Sequence, residues 1–111
     1  MMRWRYQPVV VDTDGTVQLC EVHVDDADAL ALWSEPAMYP SGDDIQELTA
    51  DLMRMTVDAY SWRPVLYSSL ETGMKFERAI TMEQRNALAS LTESVAHNCQ
   101  QAQRARGGGD A

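Results

Sequence analysis

Two runs of strand-forming residues flank an Asp-Gly turn, and this arrangement constrains the fold more than any other feature of the chain. Residues 3–11 (RWRYQPVVV) are rich in β-branched and aromatic side chains, which fit a pleated, half-buried surface. Trp4, Tyr6 and Val10 share one parity, and Arg3, Arg5 and Gln7 share the other. Pro8 cannot donate to a ladder, so the pattern predicts an edge strand or a break at that point. Asp12-Thr13-Asp14-Gly15 follows, where Gly15 tolerates the positive φ of a tight hairpin. Residues 16–24 (TVQLCEVHV) form the return strand. Val17 and Leu19 alternate on one phase, and Cys20, Val22 and Val24 on the other. That switch predicts a bulge near 19–21 or a strand covered on both faces.

A polar turn at Asp25–Asp28 leads to ALALWS (29–34), read as a third strand. The loop from Glu35 to Gly42 is punctuated by Pro36 and Pro40. The clearest helix spans 44–61. Asp44 with Glu47 three residues on forms a capping arrangement, and Ile45, Leu48, Leu52, Met55 and Ala59 make one apolar stripe expected to lie across the sheet. Val65–Tyr67 reads as a fourth short strand. Thr81 with Gln84 opens a second helix, whose stripe is Leu88, Leu91, Val95, Asn98 or Cys99, and Ala102. This stripe suits either a dimerisation seam through Leu88, Leu91, Val95 and Cys99, or a cap on the sheet.

These elements predict an α+β fold: a three- to four-stranded antiparallel sheet with one helix packed on a face and a second, C-terminal helix. The expected organisation is an acidic core domain over 1–79, an amphipathic helix over 80–106 and a flexible tail over 107–111, where Gly107-Gly108-Gly109 ends the helix. At 111 residues the chain suits one domain.

Charge narrows the function. Between Asp12 and Asp58 lie twelve acids and one base, Arg54, a local balance of −11 within a total of −8. Residues 1–11 carry +2 and residues 59–111 carry +1. An acidic field attracts cationic partners and repels nucleic acid and anionic membrane. The opening residues show no signal-like apolar run and no stretch reaches a membrane span, so a cytoplasmic protein is expected. Two distant cysteines, Cys20 and Cys99, do not make a disulfide framework.

Neither metal nor nucleophilic chemistry is signalled. Cys20 and His23 sit at an odd strand spacing and point to opposite faces, while His97 and Cys99 are about 200° apart around a helix. The acids at 12, 14, 25, 26 and 28 fit turn formers better than a divalent site, which needs convergence from several elements. No cofactor is expected. The expectation is a non-catalytic module that binds a basic protein through Asp25, Asp26, Asp28, Glu35, Asp43 and Asp44, with Trp33, Tyr39 and Trp62 as interface anchors. A small metal-dependent hydrolase using turn carboxylates and a structural dimerisation adaptor are the alternatives.

Trp4–Tyr6, Glu21-Val22-His23, Ser34-Glu35-Pro36 and the helix from Gly42 to Met55 resemble a family of small, uncharacterised bacterial proteins. The start Gly42-Asp43-Asp44-Ile45-Gln46-Glu47-Leu48 is also similar to that of HicB-type antitoxins, with one inserted residue. That resemblance covers about half the chain. It implies a partial ribonuclease-H-like β-β-β-α module and an antitoxin-like role in a bacterial setting. The acidic block itself points to a nuclease toxin or, if the chain is phage-encoded, to the nucleic-acid-binding channel of a defence complex as the basic partner, where the acids would act as a nucleic-acid mimic.

Overall fold

The computed structural model describes residues 2–109, with side chains described through Asn98 and at Gln101. The chain runs β1 (Arg3–Val10), β2 (Val17–Val24), β3 (Leu30–Trp33), α1 (Ile45–Ser61), β4 (Val65–Leu66), a 3-10 turn at Tyr67–Ser69 and α2 (Met82–Gly109). The expected α+β architecture is present, with strand order β3-β2-β1-β4. One detail is corrected: β4 runs parallel to β1, pairing Val9 with Val65 and Val10 with Leu66, so the sheet is mixed. The long path through β2, β3 and α1 returns the chain to the outer edge of β1 in the direction β1 itself runs.

The β1–β2 hairpin pairs Arg3 with Val24 through to Val10 with Val17. Its turn closes with Gly15 at φ 72 and with Asp14 Oδ1 accepting the Thr16 amide and hydroxyl at 2.9 and 2.7 Å. β1 is an unbroken inner strand despite Pro8. Residues two apart direct their N–H groups to the same edge, and the Tyr6 N–H donates away from β2, to Asp58 Oδ2 at 3.0 Å. The missing N–H of Pro8 therefore falls outside the β1–β2 ladder. Tyr6, Gln7, Pro8 and Val9 are all buried, because this strand is covered on both faces. In β2 the buried phase is Cys20, Val22 and Val24. The irregularity lies between His23 and Val24, where β2 pairs with β3, rather than near residues 19–21.

One sheet face carries the main core: Val9, Cys20, Val22, Leu30 and Leu70, with Trp33, Val65, Tyr67, Met74 and Phe76 packed against it. The other face is covered by α1. Asp44 caps this helix by accepting the Glu47 amide at 2.8 Å, and Glu47 Oε2 accepts the Asp43 amide at 2.8 Å. Gly42 is held so close that a Cβ there would lie 2.3 Å from the Leu48 nitrogen, so the loop can enter the helix only through glycine.

The stripe expected to face the sheet is rotated. Met55, Val57, Asp58 and Ser61 are buried, whereas Ile45 and Leu52 are 53% and 45% exposed. Two carboxylates set the rotation: Tyr6 Oη donates to Asp51 Oδ1 at 2.5 Å, and the Tyr6 amide donates to Asp58. Asp51, Met55 and Asp58 are spaced as one helix row, and that row lies against β1.

Helix α2 packs on α1. Thr81 and Gln84 exchange capping hydrogen bonds as the sequence predicts, at 3.1 and 2.9 Å. The helix continues to Gly109, three residues beyond its expected end. Glycine weakens a helix by about 1 kcal/mol relative to alanine but does not forbid it. Residues 110 and 111 of the expected tail lie outside the described residues. No helix among the described residues is long and apolar enough to cross a membrane.

Candidate functional site

The acids singled out from the sequence all lie at the surface, and most are built into turns. Asp25 Oδ1 accepts the amides of Ala27 and Ala29 at 2.9 and 3.0 Å. Asp28 has φ 60 and contacts Arg3; aspartate is among the few residues that enter the left-handed region readily. Asp44 caps α1. Asp25, Asp26, Asp28, Glu35, Asp43 and Asp44 are all exposed. Their carboxylates therefore present charge to solvent from a backbone fixed by local hydrogen bonds.

The acidic block is not one continuous face. The β1–β2 hairpin separates Asp12 and Asp14 from Asp25, Asp26 and Asp28 along eight paired positions, roughly 25 Å at the usual rise per residue. Asp12 is occupied by Ser68, whose hydroxyl and amide donate at 2.6 and 3.1 Å and hold the carboxyl below its usual range. These two groups cannot share an ion. Among the described residues, no group of three His, Cys, Asp or Glu is placed to hold a metal.

The aromatic positions separate. Trp33 packs against the main core. Tyr39 and Tyr60 point outward, 79% and 64% exposed. Trp62 enters a cation–aromatic stack. On α2, Leu88 is half-buried, while Leu91 and Val95 are 62% and 53% exposed; the Cys99 side chain lies outside the described residues. Cys20 is fully buried, and burial pushes its thiol up to about 11, which makes it a core side chain rather than a nucleophile.

A concavity of about 670 Å³ is a different assembly. It forms where β1 extends beyond short β4, so the end of α1, residues 75–78 and the start of α2 gather around the Arg3–Arg5 end of the strand. Residues 61–63 pair with 77–79: the Arg63 amide donates to Glu77 O and the Ala79 amide to Ser61 O, both at 2.9 Å. The pairing sets Trp62 opposite Arg78, and the Arg78 guanidinium lies 4.6 Å from the Trp62 ring centre.

Arg5 reaches the same rings, 3.7 Å from Trp62 and 5.0 Å from Phe76. Its Nη1 donates to Tyr6 O at 2.9 Å and to Gln7 Oε1 at 2.8 Å. Gln7, fully buried, is itself held because its Nε2 donates to the carbonyls of Pro8 and Arg63 at 3.0 Å. Burial lowers the Arg5 guanidinium to about 10, opposed by the nearby Asp58 charge. It remains a cation at neutral pH and is fixed in place.

Sequence reading missed this cleft because its residues come from five separate segments. The available signal was coarse: both basic ends of the chain flank the acidic block, and a hairpin can return the first of them to the second.

No protein-family model, curated protein or solved structure matches the chain. The likeness to HicB-type antitoxins therefore rests on the quoted residues alone.

Proposed function

We propose that this chain is a non-catalytic binding module of inhibitor or antitoxin-like character that engages a basic protein through its acidic surface. The observation that carries the reading is the state of the acids at 25 and 44: exposed, and attached to turns or a helix start whose backbones they hold. Binding then orders few side chains, which limits the entropy lost on association. A nuclease or a nucleic-acid-binding complex has the complementary surface, since it is built to meet phosphate. Spaced carboxylates at the two ends of the sheet compete for such cations as a phosphate backbone would.

The test is capture on the immobilised chain, at low and at high salt, of proteins from the cells that produce it. A variant carrying Asp25→Lys, Asp26→Lys and Asp28→Lys serves as the paired control. The expected result is a basic protein retained at low salt, released at high salt, and bound at least about tenfold more weakly by the variant. Equal retention by the variant, or capture indifferent to salt, overturns the reading. Circular dichroism of the variant separates lost charge from lost fold, because Asp25 also closes its turn.

A further inference from the structure

The cleft at the β1 edge runs against the sign of the molecule that contains it. Five of the chain's nine cations line it, namely Arg3, Arg5, Lys75, Arg78 and Arg85. Among the described residues two lining carboxylates, Asp28 and Asp58, face them, which leaves a formal +3 in a chain of −8. Asp28 is already engaged by Arg3, and Asp58 by the Tyr6 amide. Arg5, Arg78, Lys75 and Arg85 converge without a matching set of acids on the cleft wall.

Two further features point to an anion. Met82 and Arg85 place the capped N-terminus of α2 on the rim, where the free N–H groups and helix dipole favour negative charge. Arg5 and Arg78 share the Trp62 ring. Stacking holds the Arg78 guanidinium plane in place while its edge keeps the donor fork that matches phosphate oxygens in pairs; Arg5, whose Nη1 is spent on Tyr6 O and Gln7 Oε1, adds its charge and its remaining donors.

We propose that this cleft is a binding site for the phosphate groups of a nucleotide-sized diphosphate, held by Arg5, Lys75, Arg78 and Arg85. Charge decides the class of ligand. A lone carboxylate neutralises one of the three excess charges, whereas a phosphate monoester alone carries about −1.5 to −2 at neutral pH, and a diphosphate carries more. The volume falls within the range of small-molecule pockets, about 300–1,000 Å³. The distant Asp12–Asp14 end does not oppose binding, because it lies well beyond the Debye length of about 8 Å in physiological salt. The cleft adjoins the acidic surface at Asp28, which belongs to both, but phosphate binding here is tested without reference to any basic protein partner.

Isothermal titration with inorganic pyrophosphate and with ADP tests the proposal, at ionic strength matched with sodium chloride and beside poly-glutamate as the carboxylate control. The expected result is saturable binding of both phosphate ligands with little heat from poly-glutamate. ADP binding as tightly as pyrophosphate assigns recognition to the phosphates alone; tighter ADP binding adds the nucleoside, and either supports the site. Arg78→Gln with Arg85→Gln should weaken binding by about tenfold or more. Lys75→Gln, at an exposed position, should weaken it by a smaller factor with the fold intact. No saturation by pyrophosphate at millimolar concentration overturns the proposal. So does unchanged binding in both variants, or a preference for poly-glutamate.

Discussion

Replacing Asp58 with alanine is expected to lower stability by about 3 kcal/mol, whereas Asp58→Asn costs less than about 1 kcal/mol. Asp58 is 8% exposed and satisfies the buried amide of Tyr6 where β1 has no neighbouring strand. Alanine leaves that amide unsatisfied and removes the carboxylate facing Arg5. Asparagine keeps an acceptor oxygen and carries no charge to desolvate. Burial raises the Asp58 carboxyl above its usual range, and the Tyr6 amide and Arg5 only partly oppose it.

The folded chain therefore binds this proton more tightly than the unfolded chain does. The resulting stabilisation is complete below the ordinary carboxylate value of about 3.9 and is lost as pH rises through the folded value. Asp58→Asn lacks this loss, so it should compare better with the parent chain at pH 7 than at pH 4. Urea unfolding of both proteins at the two pH values measures the difference. A penalty that grows with pH would show that attraction to Arg5 outweighs desolvation.

Leu30→Ala is expected to cost about 3 kcal/mol. Leu30 is the largest fully buried side chain, 1% exposed, and lies in a strand of four residues. Its amide donates to Met74 O at 2.8 Å and its carbonyl accepts the Gly73 amide at 2.7 Å. A cavity here loosens the segment that brings Phe76 over Arg5, so the damage should reach the cleft. Leu32→Ala, two residues on and 48% exposed, should stay within about 0.5 kcal/mol of the parent. Denaturant midpoints settle the comparison; equal losses in the two variants would show that Leu30 is not a core anchor.

Local chemistry made the hairpin, the two helix starts and the third strand legible. Asp-Gly, Asp44 with Glu47, and Thr81 with Gln84 act over four residues or fewer, and each forms the bonds its spacing implies. The orientation of α1 was not legible. Its apolar stripe points one way, but Asp51 and Asp58 are drawn to Tyr6, whose hydroxyl and free amide exist as partners only once β1 is placed. β4 is two residues long, too short for a periodic signal, and its parallel direction follows from the path of the whole chain. The cleft was hidden for a related reason. Summing charge along the sequence assigns Arg3 and Arg5 to one segment and Arg85 to another, whereas the fold places them together.

Hydrogen exchange of the chain, free and bound to its captured basic partner, tests the central claim most directly. The account predicts protection at residues 25–29, 35 and 43–44, with the amides of residues 75–85 unchanged. Protection confined to residues 75–85, with the acidic turns exchanging as in the free chain, would contradict it.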